Sequence, residues 1–268
     1  MSAAPWRLFV AVPAQAQSLS VQTASTLLSL QAAAGRLGWR FEAGFFSGAL
    51  LPDLRNLIVR DFLLRGADGL LMLDSDQGCS AEMVVRMIQT GHPVVGCMSP
   101  RRRYFFDQVR PEESCADMQR VLHQASRYVG ELALGPDGRS FDMRDGFARA
   151  RFVGAGVLLI RREAIDRLKG RFPELEGQGL AFSEVQGDTD QENWGFFNLM
   201  TDPEQGCPLS EDYAFCHRWR VGCGGELWAE IVTPVTHVGP TSFQGAYLDH
   251  LRAVYATDVK AAQADPSP

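Results

Sequence analysis

The sequence predicts an α/β fold in which helices flank a mostly parallel central sheet, and three observations predict it. Short β-like apolar runs alternate with longer amphipathic stretches through about the first hundred residues. The chain has 268 residues, 46% of them hydrophobic, enough to bury one sizeable core. No internal repeat or low-complexity tract breaks the pattern.

The first strand is expected from Leu8 to Val12, an apolar run closed by Pro13. It is too short for a signal-peptide core and has no basic leader before it. A helix follows over Ser20 to Leu37, then a strand over Trp39 to Phe45 and a helix over Pro52 to Arg65. Gly69 to Leu73 is a third strand. Ser80, with Glu82 and Met83 behind it, caps a helix that reaches Thr90, and Pro93 to Cys97 is a fourth strand. In open α/β sheets ligands sit beyond the carboxyl ends of the strands. That rule makes Pro13, Ser47, Asp74 to Asp76 and Ser99 to Arg103 the rim positions.

Beyond residue 100 the alternation degrades. Gly135-Pro136-Asp137-Gly138 reads as a turn, and Arg151 to Ile160 as one strand interrupted by Gly154 and Gly156, followed by a helix from Arg162 to about Lys169. The absent side chains at the two glycines leave room for something to approach the backbone. Arg171 to Ser210 has little periodicity, and a loop of that length in a compact domain reads as a lid or a binding loop. The tail after Lys260 reads as flexible. The expected organisation is one domain over 1–260, its two halves meeting near residue 110 within one sheet.

The net charge of -6 removes the broad positive field that nucleic-acid binding needs, so nucleic acid is not an expected partner. Six cysteines without a C-x-x-C pair read as reduced thiols in a cytoplasmic protein rather than as a zinc or redox site. No apolar stretch nears the ~20 residues that span a bilayer, so any association with an inner membrane is expected to be peripheral.

The strongest chemical signal is Asp74-Ser75-Asp76 at the end of an apolar strand. Two carboxylates there can share a hard divalent cation, Mn²⁺ or Mg²⁺; their plainer reading is solvated turn acids. The D-x-D spacing alone is weak, on the order of one chance match in an acidic chain of this size. Asp188-Thr189-Asp190 repeats it with no strand in front.

Several segments in a fixed order resemble the GT-A glycosyltransferases, especially bacterial and phage members similar to family 2. They are Leu54-Arg55-Asn56-Leu57, Asp74-Ser75-Asp76, Pro100-Arg101-Arg102-Arg103, Phe152 to Arg162 with its glycines, Ser210-Glu211-Asp212, and Thr236-His237-Val238-Gly239. Together they span about residues 8 to 240. The resemblance implies a Rossmann-like fold with a donor half (about 1–110) and an acceptor half (about 111–260). It implies a nucleotide-sugar donor, UDP-linked by analogy, whose sugar passes to a glycan, lipid, protein or small-molecule hydroxyl. Donor contacts are then expected from Pro13, Arg55, Asn56, Asp74, Ser75, Arg101, Arg103, Gly154 and Gly156, and metal ligands from Asp74, Asp76 and His237. Asp212 becomes the expected base for an inverting transfer, with Glu211 able to exchange roles.

Each expectation has a plainer alternative. His237 also reads as a satisfied structural histidine, Glu211 and Asp212 as helix N-terminal acids, and the arginines as a solvated basic turn. Phe182, Trp194, Phe196 and Phe197 either stack on a sugar ring or pin their loop to the core. Two other functions compete: a haloacid-dehalogenase-like magnesium phosphatase, and a nucleotide-sugar binding protein without turnover. The first expects its Asp pair near the N-terminus with Thr or Val two residues after it, where this chain has Gly78.

Overall fold

The computed structural model describes residues 5–48, 50–109, 118–179 and 192–255. The expected elements of the first hundred residues are all present. Strand β1 (Arg7–Pro13) leads to helix α1 (Val21–Leu37), β2 (Arg40–Phe46), α2 (Leu51–Arg65), β3 (Gly69–Leu73), a two-residue β4 (Gln77–Gly78), α3 (Ala81–Gln89) and β5 (Val94–Cys97).

Local chemistry sets the helix ends. Ser20 caps α1 by accepting from Thr23 N at 3.1 Å, and Ser80 caps α3 by accepting from Met83 N at 3.2 Å. Gly38 and Gly66 close α1 and α2 in the left-handed region, at φ 70° and 64°.

The second half adds β6 (Ser99–Tyr104), α4 (Met118–Ala125), β7 (Ser126–Leu132), β8 (Met143–Arg144), β9 (Phe147–Val153), β10 (Val157–Arg161) and α5 (Arg162–Arg171). It ends with β11 (Met200–Thr201), β12 (Pro208–Leu209), α6 (Glu211–His217), β13 (Trp228–Glu230), β14 (Val235–Val238), β15 (Ser242–Gly245) and α7 (Tyr247–Val254). The central sheet runs β2-β1-β3-β10-β5-β13-β9-β7-β6, with β8 on β9. Strands β2, β1, β3, β5 and β13 point the same way, and β10 is inserted antiparallel between β3 and β5. The α/β class with a mostly parallel, helix-flanked sheet is therefore the observed one. A small separate sheet, β15-β14-β4, stands at the carboxyl end of β3.

Burial on both faces explains why the central strands are apolar throughout. Leu8, Val10 and Val12 of β1 share a cluster with Leu27 and Leu30 of α1 and Met83 and Met87 of α3. Phe9 and Ala11, facing the other way, share one with Ile58, Val59 and Phe62 of α2.

The single strand expected over 151–160 is corrected to two. β9 lies between β13 and β7 while β10 lies between β3 and β5, and Gly154-Ala155-Gly156 carries the chain across the sheet between them. The irregular 171–210 stretch is in part firmly packed: Trp194, Phe196 and Phe197 are buried, with Trp194 stacked on Phe196 and Phe197 on Phe215. These rings pin the segment to the core and offer no face to a sugar, so the stacking alternative fails for them. Phe182, Asp188 to Asp190, Cys115 and the tail after Lys260 lie outside the described residues. Among the described residues no helix is long and apolar enough to cross a membrane.

Candidate functional site

The chain leaves β3 into Asp74-Ser75-Asp76, and neighbouring elements hold the backbone of this turn at every step. Asp74 N donates to Gly156 O at 2.8 Å, Ser20 N to Ser75 O at 2.7 Å, Gln77 N to Asp74 O at 3.1 Å, and Val238 N to Asp76 O at 2.7 Å. The buried Thr23 hydroxyl adds a bond to Gln77 O at 2.8 Å. Bonds from the cap of α1, the Gly156 link and β14 thus hold the frame from which the two carboxylates project.

β4 pairs antiparallel with β14, in a register that sets His237 opposite Gln77. This carries His237 Nε2 to 3.4 Å from Asp76 Oδ2, while Nδ1 lies 2.8 Å from the Pro100 carbonyl. A carbonyl only accepts, so Nδ1 carries a proton and Nε2 faces the carboxylate. Arg102 Nη1 reaches the same Asp76 oxygen at 2.9 Å. Burial alone would raise the Asp76 pKa, but the hydrogen bond and charge of His237, with Arg102 beside it, outweigh it and hold the carboxyl below its ordinary value. His237 shifts the opposite way: burial opposes its charge, and Asp76 with the Pro100 carbonyl overcomes that and raises it.

Asp74 turns to a different partner. Arg55, on α2 and 2% exposed, puts Nη2 3.1 Å from Asp74 Oδ1 and Nε 3.3 Å from Glu211 Oε1, and donates to the Ala155 carbonyl at 3.3 Å. Burial disfavours the guanidinium charge, but the carboxylates of Asp74 and Glu211 more than offset this. Glu211 itself is pushed up, by burial first and the neighbouring Asp212 second, with Arg55 opposing. Asn56, also buried, donates to Asn198 Oδ1 at 2.8 Å and accepts from Phe197 N at 2.8 Å, so its amide ties the 192–198 segment to α2.

α6 begins at Glu211, and Asp212 lies in its first turn, where Asp212 Oδ1 accepts from the Ser210 hydroxyl and from Tyr213 N at 2.8 Å. A Cβ built on Gly154 would lie 3.7 Å from Asp212 Oδ2, so that oxygen sits against the bare glycine backbone. Gly156 differs: a Cβ there would collide with the Gln77 amide, and the room it leaves is filled by the protein's own side chain. Pro13 is buried at the end of β1 opposite Phe46 of β2, and Ser75 is half-buried in the turn. Arg101 and Arg103 are exposed on β6, Arg103 over the Phe105 ring at 5.0 Å.

Asp74, Asp76, His237, Arg55, Glu211 and Asp212 are thus linked by direct contacts or sequence adjacency, while Asn56 and Gly156 serve internal packing. Of the three arginines in the basic stretch, Arg102 is the one on Asp76, and two further contributors were given no role in the sequence reading. Gln77, 4% exposed, accepts from the Ser99 hydroxyl at 2.6 Å and fills the space over Gly156. Tyr213 accepts from Gly130 N at 3.0 Å and stacks on Phe152, fixing the start of α6. Neither left a local signal, because their partners come from distant strands.

Among the described residues no three His, Cys, Asp or Glu side chains are grouped closely enough to hold a metal ion unaided. Asp76 and His237 offer two donors, one oxygen and one nitrogen, 3.4 Å apart. Cis ligands at about 2.0–2.2 Å from a metal are separated by roughly 3 Å, so the spacing of this pair is compatible with one shared cation that has further ligands from outside the pair.

No family model matches the sequence, and no curated protein matches it. Solved structures that match include A197 from STIV, at 13% identity and TM-score 0.41, over 87% of this chain and 86% of that one. A mannose-1-phosphate geranyltransferase from Thermus thermophilus superposes at 12% identity and TM-score 0.40, over 97% and 99%. A UDP-glucose pyrophosphorylase complexed with UDP-glucose does so at 9% and 0.41, over 96% and 100%. Likeness at this level carries no functional information.

Proposed function

We propose that this chain is a metal-dependent transferase that takes a sugar from a nucleotide-sugar donor, UDP-linked by analogy, and passes it with inversion to an acceptor hydroxyl. The observation that carries the reading is the meeting of Asp76 and His237 at 3.4 Å, from distant parts of the chain, at the carboxyl end of β3. Ligands of open α/β sheets bind at that rim.

When held by Asp76 and His237, Mn²⁺ or Mg²⁺ would supply Lewis-acid neutralisation of the departing diphosphate. The chain's own residues do the rest. Arg102, released from Asp76, offers a fork to phosphate oxygens, with Arg101 and Arg103 exposed on the same strand. Arg55 fixes the orientation of Asp74 and Glu211 from beneath. Asp212, with Oδ1 held by Ser210 and Tyr213, keeps Oδ2 for the proton of the incoming hydroxyl. Glu211, whose pKa burial and Asp212 push above its ordinary value, is the neighbour that can exchange roles with it.

The test is a melting-temperature screen of nucleotide sugars with and without Mn²⁺. A donor at one hundred times its Kd adds about 2.7 kcal/mol, roughly 5–10 °C for a chain of this size. The shift should need both donor and metal and should vanish in Asp76→Ala. A wild-type protein that responds to no donor with Mn²⁺, or an Asp76→Ala variant that responds equally, overturns the reading.

A further inference from the structure

A groove of about 610 Å³ opens on the face of the small β15-β14-β4 sheet that points away from His237. The register puts it there. Thr236 pairs with Gly78 on one side and Gln244 on the other, and alternation along β14 turns Thr236 to the face opposite His237. The first turns of α1 and α3 form the other wall, with Gln22 and Ser25 from one and Glu82 from the other.

The side chains of Gln22, Ser25, Glu82, Thr236 and Gln244 have no hydrogen bond or ion pair with any other group among the described residues. Two amides, two hydroxyls and a carboxylate therefore face one cleft with their hydrogen-bonding capacity unused. No Lys or Arg lines it, which disfavours phosphates, nucleotides and nucleic acid as occupants. The thiol of Cys79, also in the lining, is pushed far up by burial and is no ready nucleophile. Val21, 77% exposed, and Pro234 add small apolar surfaces suited to C–H faces. The volume falls within the roughly 300–1,000 Å³ typical of small-ligand sites.

We propose that this groove binds a neutral saccharide, the far end of a glycan acceptor. Amides and hydroxyls both donate to and accept from sugar hydroxyls, and the Glu82 carboxylate can accept from two at once. Gly78 and Thr236, which line the groove, belong to the β4-β14 ladder that holds Asp76 and His237. The groove and the Asp76–His237 pair thus lie on opposite faces of the same small sheet. Saccharide binding rests on the groove's own lining; its role as the acceptor's seat rests on the transferase reading.

The test is saturation-transfer NMR on the full chain without donor, using maltopentaose, cellopentaose and chitopentaose, with spermidine as a cationic competitor. At least one oligosaccharide should receive saturation. Its binding should weaken on the order of tenfold or more in Glu82→Ala/Gln244→Ala, and in Ser25→Trp, which fills the groove from an exposed position. Both variants should keep the wild-type nucleotide-sugar melting shift. No saccharide signal on the wild type, an unchanged signal in both variants, or displacement by spermidine alone overturns the proposal. If the donor shift is missing from the wild type while saccharide binding behaves as stated, the transferase reading fails and the groove stands.

Discussion

Replacing Arg55 by methionine tests the link between the two acidic segments. The guanidinium is 2% exposed and contacts Asp74 at 3.1 Å and Glu211 at 3.3 Å. Methionine is a flexible, apolar filler of core space, so the dominant loss is electrostatic. Removing one partner of a buried ion pair costs about 3–5 kcal/mol because the other charge is stranded. Water reaches the 27% exposed Asp74 and screens part of that, which places the estimate near the lower end, about 3 kcal/mol. At about 2–4 °C per kcal/mol, the melting temperature at pH 7 should fall by roughly 6–12 °C. The pH dependence has a definite sign. Burial and Asp212 already hold the Glu211 pKa above its ordinary 4.5, and loss of Arg55 raises it further. A carboxyl of this kind contributes stability below its unfolded pKa and loses it as pH rises through the folded one. The deficit of the variant should therefore shrink as pH is lowered from 7 toward 4.5. Arg55→Lys, which keeps the charge and loses the fork, should fall between. A melting temperature within about 2 °C of wild type at pH 7, or a deficit that does not shrink in acid, refutes the argument.

Other substitutions probe the remaining parts. Asp212→Asn should keep the donor-dependent melting shift while transfer, followed as nucleoside diphosphate release, drops by about 10²–10⁴-fold; retained turnover removes Asp212 from the proton path. Gly156→Ala drives a carbon into the Gln77 amide and should cost about 1–3 kcal/mol in urea unfolding, part of which Gln77→Ala in the same chain should recover. His250 is held below its ordinary 6.5 by burial, with the charges of Arg127 and His123 adding to it and the His123 carbonyl on Nδ1 opposing. Its contribution is full above 6.5 and is lost as pH falls through the folded value, so His250→Gln should flatten the acid limb of the stability profile; an unchanged limb assigns it elsewhere.

The first hundred residues were legible because their strands are covered on both faces and their helices carry their own end signals. Leu8 to Val12 is apolar at every position since Val10 and Phe9 meet different helix layers, and Ser20, Ser80, Gly38 and Gly66 mark the ends by local chemistry alone. Past β5 those conditions lapse. β13 is three residues long and takes its identity from β5 and β9 on either side, and the β6-β7 and β7-β9 pairings both shift register part-way. Arg151 to Ile160 looks like one strand because β9 and β10 are both apolar and run in the same direction; the sideways step at Gly154-Ala155-Gly156 is a property of the sheet.

The same division runs through the site. Asp74 and Asp76 could be read from their position after β3, a local fact, whereas their partners are set by pairings that no local pattern encodes. Alternation predicts that Asp74 and Asp76 share a side, yet the chain has left the strand, and one carboxylate turns to Arg55 under the sheet while the other turns to His237 and Arg102. Which arginine reaches Asp76 is decided where β6 departs from regular pairing: its register on β7 shifts between Pro100 and Tyr104, all three arginines are exposed there, and Arg102 is the one that meets the acid. Motif order along the chain thus names the segments that meet, and the irregular pairing of β6, which no local pattern encodes, selects the side chain that touches the acid.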